Sequence, residues 1–396
     1  MRRNQKNDKE QARIFWAIKE KIMHFSPTIS PAPKNIERAE IESIYEALLH
    51  FKNEGVQEVV VQPKYMGSYC DIYLSKDIND TKFTSREGHL IDYLDRNALL
   101  EAVKPIHTRF DFTDLELVIV QAELMPWAAM GKKLIERDFL SYYNACLSHA
   151  QELKKSSITH KLETLSKSKE FSEFLLKSAE GDISEFKPHE ISAYKALDKI
   201  VTESLVPNPS FMLGQLEKYK EQLDIYGKEA TIHFKPFNVL KKVYLNGTQH
   251  LQTSNAFGFY EVSDDAFLVV SLADKNFEDS VEYTKQFFDG LVAKNMEGIM
   301  IKPEQIDVEK TPCLKVRNTN YLRMIYGWDF AYKYLYHLDR RNIGKKLKIS
   351  KNEVKISNEI LKIHPKDITE SNERYVSLVT SRIKEEEFEE ELDTRL

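Results

Sequence analysis

Several short segments carry side chains whose types and spacing could do chemistry. Lys64-Tyr65-Met66-Gly67 puts a lysine just after the β-rich run Glu58 to Gln62, with a glycine three residues on. Ala122-Glu123-Leu124 closes a second apolar run with a carboxylate. Met296-Glu297-Gly298-Ile299-Met300-Ile301-Lys302-Pro303 places Glu297 and Lys302 at the two ends of a short apolar strand. Leu314-Lys315-Val316-Arg317 projects Lys315 and Arg317 from one strand face, because positions two apart share a face. Ser85-Arg86-Glu87-Gly88 adds a basic residue beside a turn glycine.

Taken singly, each reads as a surface charge before a turn. Together they supply a nucleophilic lysine, two carboxylates and further cations, which is what attack of an amine on the α-phosphate of a nucleoside triphosphate requires. An ordinary lysine has a pKa of about 10.4, so its neutral amine costs roughly 4–5 kcal/mol to populate at pH 7. Neighbouring cations lower that cost. Lys302 and Lys315 can place positive charge around the oxygens of a five-coordinate phosphorus. A divalent cation, Mg²⁺ or Mn²⁺, needs hard oxygen ligands, for which Glu297 and Glu123 are the candidates.

The elements that must hold these groups follow from periodicity. Residues 8–24 and about 37–54 read as helices, separated by a proline-rich connector from Ser26 to Lys34. Strands are expected at Glu58–Gln62, Asp71–Leu74, Leu117–Leu124, Thr231–Phe234, Phe267–Leu272, Gly298–Lys302 and Cys313–Val316. Between them the strand signal vanishes, and Leu134, Phe139, Tyr142, Tyr143 and Leu147 recur at helical spacing. The expected organisation is an N-terminal helical extension over 1–36 and a core over 37–127 and 229–327. A helical insert spans 128–228 and a C-terminal helical module 328–396.

The chain has 396 residues, with 57 Lys and Arg against 62 Asp and Glu, a net charge of −5. That balance excludes a bulk-basic binder but permits a local basic groove. Lys333, Arg340, Arg341, Lys345, Lys346, Lys348 and Lys351, interleaved with Tyr332, Tyr334 and Tyr336, are one candidate; Lys132, Lys133 and Arg137 are another. The run Glu385 to Glu391 reads as a solvated helix end or tail. Three scattered cysteines, Cys70, Cys146 and Cys313, offer neither a disulfide framework nor a zinc knuckle, and a reducing cytoplasm fits them. Neither a signal peptide nor a membrane-spanning run is expected.

The order Lys64-x-x-Gly67, Glu123, Glu297-Gly298, Leu314-Lys315 resembles motifs I, III, IV and V of the ligase and mRNA-capping nucleotidyltransferases. Pro63-Lys64-Tyr65-Met66-Gly67-Ser68, Ala122-Glu123-Leu124-Met125-Pro126-Trp127 and Leu314-Lys315-Val316-Arg317, continuing through Tyr321-Leu322-Arg323-Met324-Ile325-Tyr326-Gly327, resemble one branch more closely. That branch is the ligase domain of bacterial polynucleotide kinase-phosphatase, an RNA repair enzyme. The likeness runs from about Pro27 to Leu396.

The resemblance implies an α+β nucleotidyltransferase fold, the ATP-grasp-like ligase adenylation fold, with antiparallel sheets, and an ATP-dependent RNA ligase. Lys64 would carry AMP, and Gly67 would let the backbone approach the nucleotide. Gln62, Tyr69 and Arg86 would lie against nucleotide or RNA phosphate. Glu123 would hold ribose or metal, Glu297 metal, and Lys302 and Lys315 phosphates. Phe237, in His233-Phe234-Lys235-Pro236-Phe237, would stack on adenine. The implied partners are RNA with 5′-phosphate and 3′-hydroxyl ends, an RNA 3′-terminal 2′-O-methyltransferase, and separate end-healing kinase and phosphatase activities. The last are expected elsewhere because no Gly-x-x-x-x-Gly-Lys-Ser/Thr loop occurs; Gly131-Lys132-Lys133 lacks both the first glycine and the hydroxyl residue. One departure stands out: Tyr69 sits where the family usually has arginine, two residues past the motif I glycine. A nucleotidyltransferase acting on DNA ends or protein, and a non-sealing RNA-end-binding subunit, remain open at this point.

Overall fold

The computed structural model describes residues 2–126, 135–203, 206–227, 231–273, 275 and 277–385. In chain order the elements of the first part are α1 (Arg2–Lys19), β1 (Ser30–Pro31), α2 (Ile44–Asn53), β2 (Glu58–Lys64), β3 (Ser68–Ser75), β4 (Lys82–Thr84), α3 (Arg96–His107) and β5 (Leu115–Met125). Then come α4 (Ser141–Ser156), α5 (Ile158–Ser166), α6 (Lys169–Glu180), α7 (Pro188–Thr202) and α8 (Pro209–Gly227). The chain returns through β6 (His233–Tyr244), β7 (Gln249–Leu251), α9 (Asn255–Val262), β8 (Leu268–Ser271), α10 (Phe277–Val292), β9 (Gly298–Pro303) and β10 (Leu314–Arg317). It ends with α11 (Thr319–Tyr326), α12 (Tyr334–Arg340), α13 (Gly344–Leu361) and α14 (Glu373–Glu385).

Residues 1–132, 226–322 and 333–396 form one compact unit; 133–225 and 323–332 form a second. The segment 328–396, expected as one module, is thus divided between the two. In the second unit Ala150, Met212 and Leu216 make one small core, and Phe171, Phe174 and Leu197 another.

The first unit holds two five-stranded sheets, ordered β1-β10-β9-β2-β8 and β4-β3-β5-β6-β7. All pairings are antiparallel except β1 with β10. Strand alternation sorts the side chains. Val59 and Val61 of β2, Ile299 and Ile301 of β9, and Leu314 and Val316 of β10 face one way, into a core closed by α2 and α10. Gln62 and Lys64, Met300 and Lys302, and Lys315 face the other way, into a cavity. The second sheet does the same. Cys70, Ile72 and Leu74 of β3 and Val118, Val120, Ala122 and Leu124 of β5 pack with Leu99 and Val103 of α3. Tyr69, Gln121 and Glu123 are left on the cavity side. Each buried Val, Leu or Ile contributes about 1.5–3 kcal/mol. A register slip by one residue would swap every chemical group for a core one, so the two apolar cores fix the site's composition.

A third core joins the chain ends. Ala17, Ile22, Met23 and Phe25 pack with Ile360, Leu361, Tyr375 and Val379. Buried Arg382 pairs with Glu353 at 2.9 Å and donates to the Ser26 carbonyl at 2.8 Å. The connector 22–33 is thereby held along the cavity rather than left as a loose link.

Candidate active site

The link from β2 to β3 crosses from one sheet to the other, and Lys64 and Gly67 stand at its two ends. In register, Lys64 lies opposite Gly298, so the neighbouring Glu297 is within reach. Lys64 Nζ donates to Glu297 Oε2 at 2.8 Å, with Glu297 buried and Lys64 half-buried. The Glu297 carbonyl accepts from the Asn318 amide at 2.9 Å and from its side chain at 3.1 Å, which pins this strand entry. Gly298 is required there: its φ is +158°, and a Cβ would sit 2.0 Å from the Val316 carbonyl oxygen. Gly67 is required for a similar reason. A Cβ would lie 2.4 Å from the Leu124 carbonyl oxygen, and the Gly67 amide donates to Glu123 Oε1 at 3.0 Å. The close approach that Gly67 permits here is to the protein's own β5.

The electrostatics are strained. Burial pushes the Glu123 carboxyl up to about 7; Lys64 opposes this, Glu297 adds to it, and the Gly67 N–H opposes it. Burial lowers Lys302 to about 8. Burial, then the charges of Arg317 and Lys64, lower Lys315 to about 7, against Glu42 and Glu297. Arg317 itself leaves the cavity, contrary to the expectation that it would accompany Lys315. It donates to Glu42 through its backbone amide at 2.8 Å and through Nε at 3.0 Å. Arg341 reaches the same carboxylate at 2.5 Å. Burial works against the Glu42 charge, but the two guanidinium groups hold its carboxyl below the ordinary range.

A cavity of about 400 Å³ receives Gln62, Lys64, Tyr69, Arg86, Glu123, Phe237, Lys302 and Lys315. Gln62 is buried, its amide 3.5 Å from the Asn255 carbonyl. The Phe237 ring carries the Lys302 ammonium 4.7 Å above its centroid, and the Tyr69 ring lies 6.1 Å away. Arg86 donates to Thr28 Oγ1 at 3.3 Å, while the Arg86 carbonyl accepts from the Ser26 amide. Tyr69 is committed inside the wall. Its hydroxyl donates to Asp71 Oδ1 at 2.6 Å and accepts from Gln121 Nε2 at 2.7 Å. Burial and Asp71 raise its pKa, so it stays a donor. Asp71 Oδ2 meets His24 Nδ1 at 2.8 Å. Sequence spacing missed His24, Glu42, Asp71 and Asn318.

A family model described as "PNKP adenylyltransferase domain, ligase domain" matches residues 13–177 and 215–372. The chain belongs to the PNKP ligase family. A chain of the solved structure "Structure of Pnkp1/Rnl/Hen1 complex" is 38% identical, with a TM-score of 0.88 and 98% of each chain covered. A chain of "Structure of the Pnkp1/Rnl/Hen1 RNA repair complex" is 38% identical, with a TM-score of 0.90, covering 98% of this chain and 99% of that one. No curated protein matches significantly. The PNKP ligase fold is thus the α+β, antiparallel nucleotidyltransferase-type arrangement described above.

In this PNKP ligase the donor set fits a divalent cation in a specific way. Glu297 Oε1 is buried and has no hydrogen-bond partner. Among the described residues no group of three or more His, Cys, Asp and Glu is gathered. Glu297 and Glu123 are close enough for their charges to interact. Two carboxylates, completed by phosphate oxygens and water, suit Mg²⁺ or Mn²⁺ better than an all-protein cage would.

Several residues of the expected basic grooves have partners within the protein. Arg341 is taken by Glu42 and Lys351 pairs with Glu54, while Arg340 stacks 4.4 Å over Tyr336. Tyr334 donates to the Ala39 carbonyl, and Lys346 lines the cavity. Arg137 pairs with Asp138. Lys132, Lys133, Trp127 and the acidic run 386–391 lie outside the described residues. Among the described residues no helix is long and apolar enough to cross a membrane.

Proposed function

We propose that this ATP-dependent ligase joins RNA ends in RNA repair through AMP carried on Lys64. The Lys64 amine attacks the α-phosphorus of ATP; a P–N bond forms and pyrophosphate leaves. The AMP then passes to the terminal phosphate of an RNA 5′ end, freeing the lysine. A 3′-hydroxyl oxygen attacks that phosphorus, a phosphodiester forms and AMP leaves. Lys302 and Lys315 stabilise charge on the phosphate oxygens, and Phe237 offers a surface to the base. A divalent cation held by Glu297 and Glu123 would neutralise phosphate charge and help orient the leaving group.

The observation that carries this reading is the Lys64–Glu297 pair at 2.8 Å, in which the other Glu297 oxygen is buried and unpartnered and Lys64 lines a cavity together with Lys302 and Lys315. The matched structures come from complexes that, as named, contain Pnkp1 and Hen1. By that likeness the chain works with an end-healing kinase-phosphatase and an RNA 3′-terminal 2′-O-methyltransferase.

The test is incubation with ATP labelled at the α-phosphate, with and without EDTA, followed by peptide mapping. The expected result is a metal-dependent AMP adduct at Lys64 that is discharged by RNA with a 5′-phosphate and a 3′-hydroxyl. An adduct at another residue, or discharge only by DNA, would overturn it.

A further inference from the structure

Tyr69 occupies the position where an arginine was expected, yet its only proton goes to Asp71. Gln121 gives its amide to Tyr69 and takes the Asn238 amide on its oxygen at 3.1 Å. One hydrogen-bonding atom of this wall that remains unused is on His24; Asn238 Oδ1 is buried and unpartnered as well. The Asp71 carboxylate is fully buried and only accepts, so Nδ1 of His24 must donate to it. That leaves Nε2 as the free polar atom of the ring. Among the described residues Nε2 has no hydrogen-bond partner, and the imidazole lines the cavity.

We propose that His24 is a ribose-binding residue for ATP, sharing a hydrogen bond at Nε2 with a ribose hydroxyl. The inference rests on the nucleotide reading above. Two observations select this ligand. A hydroxyl both donates and accepts, so it can pair with Nε2 whichever way the proton lies. Position selects the hydroxyl. On β5, Gln121 lies two residues from Glu123, and Asp71 pairs in register with Gln121 as Tyr69 pairs with Glu123. His24 therefore sits one side-chain step, roughly 7 Å, farther along the wall than the Glu123–Lys64 end. A nucleotide whose α-phosphate is at Lys64 carries its sugar over that interval, before the base.

The imidazole is prepared for this. Tyr73 accepts from the His24 amide at 3.1 Å and from the Met23 amide at 3.0 Å. Tyr375 donates to the Ile22 carbonyl at 2.7 Å, Ser357 donates to the Phe25 carbonyl, and Arg382 holds Ser26. The connector thus presents His24 as a fixed group, and the entropy of ordering it is already spent in folding.

The experiment is lysine adenylylation by the full chain with ATP, 2′-deoxy-ATP and 3′-deoxy-ATP, in wild type, His24→Ala and His24→Gln. The readout is the ratio of kcat/KM for ATP to that for each analogue, which does not depend on the folded fraction. Wild type should favour ATP over one analogue by about three- to tenfold, the value of one neutral hydrogen bond. His24→Ala should bring that ratio close to one, whatever it does to the absolute rates. Equal use of all three nucleotides by wild type would overturn the proposal without any variant. So would a preference for ATP that persists in both variants. Absence of any adduct with ATP would overturn the nucleotide reading itself, whereas an adduct indifferent to the sugar would count against His24 alone.

Discussion

Replacing Lys315 by Met should stabilise the protein while disabling it. Burial, Arg317 and Lys64 hold the Lys315 ammonium down from its ordinary 10.5 to about 7. Each pKa unit of such a shift is about 1.4 kcal/mol of native-state penalty. At pH 7.5 the unfolded chain keeps the proton and the folded chain mostly sheds it, over an interval of about three units. The unscreened penalty is therefore about 4 kcal/mol. Lys315 is only partly covered, so about half of that, roughly 2 kcal/mol, is the figure to expect in practice. Met keeps the length and flexibility of the lysine stem and carries no charge.

The sign follows from the proton count. A lysine whose folded pKa is depressed penalises the fold most below that pKa, and the penalty fades as pH rises toward the unfolded value. Melting of wild type and Lys315→Met without nucleotide, in EDTA, should show the variant higher by several degrees at pH 7, at about 2–4 °C per kcal/mol. The gap should shrink steadily through pH 8 and 9. AMP transfer to Lys64 should fall by about 10² or more, because a cation facing the developing phosphate charge is gone. A variant less stable than wild type at pH 7, or a gap that ignores pH, would refute the reasoning.

Other substitutions separate chemistry from support. Lys64→Arg and Lys64→Ala should both lose the adduct by intact mass, since a guanidinium stays protonated; only Lys64→Ala should melt early, because it strands buried Glu297. Gly67→Ala drives a Cβ against the Leu124 carbonyl and disturbs the amide that serves Glu123, so adenylylation should fall at least about tenfold with about 1–3 kcal/mol of destabilisation in urea melts. Glu42→Gln leaves Arg317 and Arg341 buried against a neutral amide and should cost about 3–5 kcal/mol in the same melts. Glu297→Gln removes the orphaned oxygen's charge, and its adenylylation rate should fall by about 10² and lose its response to added Mg²⁺.

Which parts of this site were legible in the sequence follows from where the energy lies. Lys64, Glu123, Glu297, Lys302 and Lys315 sit on or beside strands whose alternate residues are core, so the period of two exposes them as interruptions that the fold alone would not choose. Burying them raises Glu123 and depresses both lysines, so their presence signals a function that repays the cost. The partners that make them tolerable left no such mark. Glu42 meets Arg317 across 275 residues and His24 meets Asp71 across 47, and no periodicity links pairs so far apart. Arg317 shows the limit from the other side: it shares a face with Lys315, and face assignment predicts a common destination, but a carboxylate brought up ahead of α2 captures it. Tyr69 shows it again. Counted from Gly67 it takes the place of an expected arginine in contact with the nucleotide. With Asp71 and His24 in place it is one link of a wall that passes the contact to another part of the chain. An arginine at that position would itself be drawn to Asp71 at the expense of His24. The tyrosine, the aspartate and the histidine therefore stand or fall as a set, and replacing one without the others breaks the wall rather than restoring the family pattern.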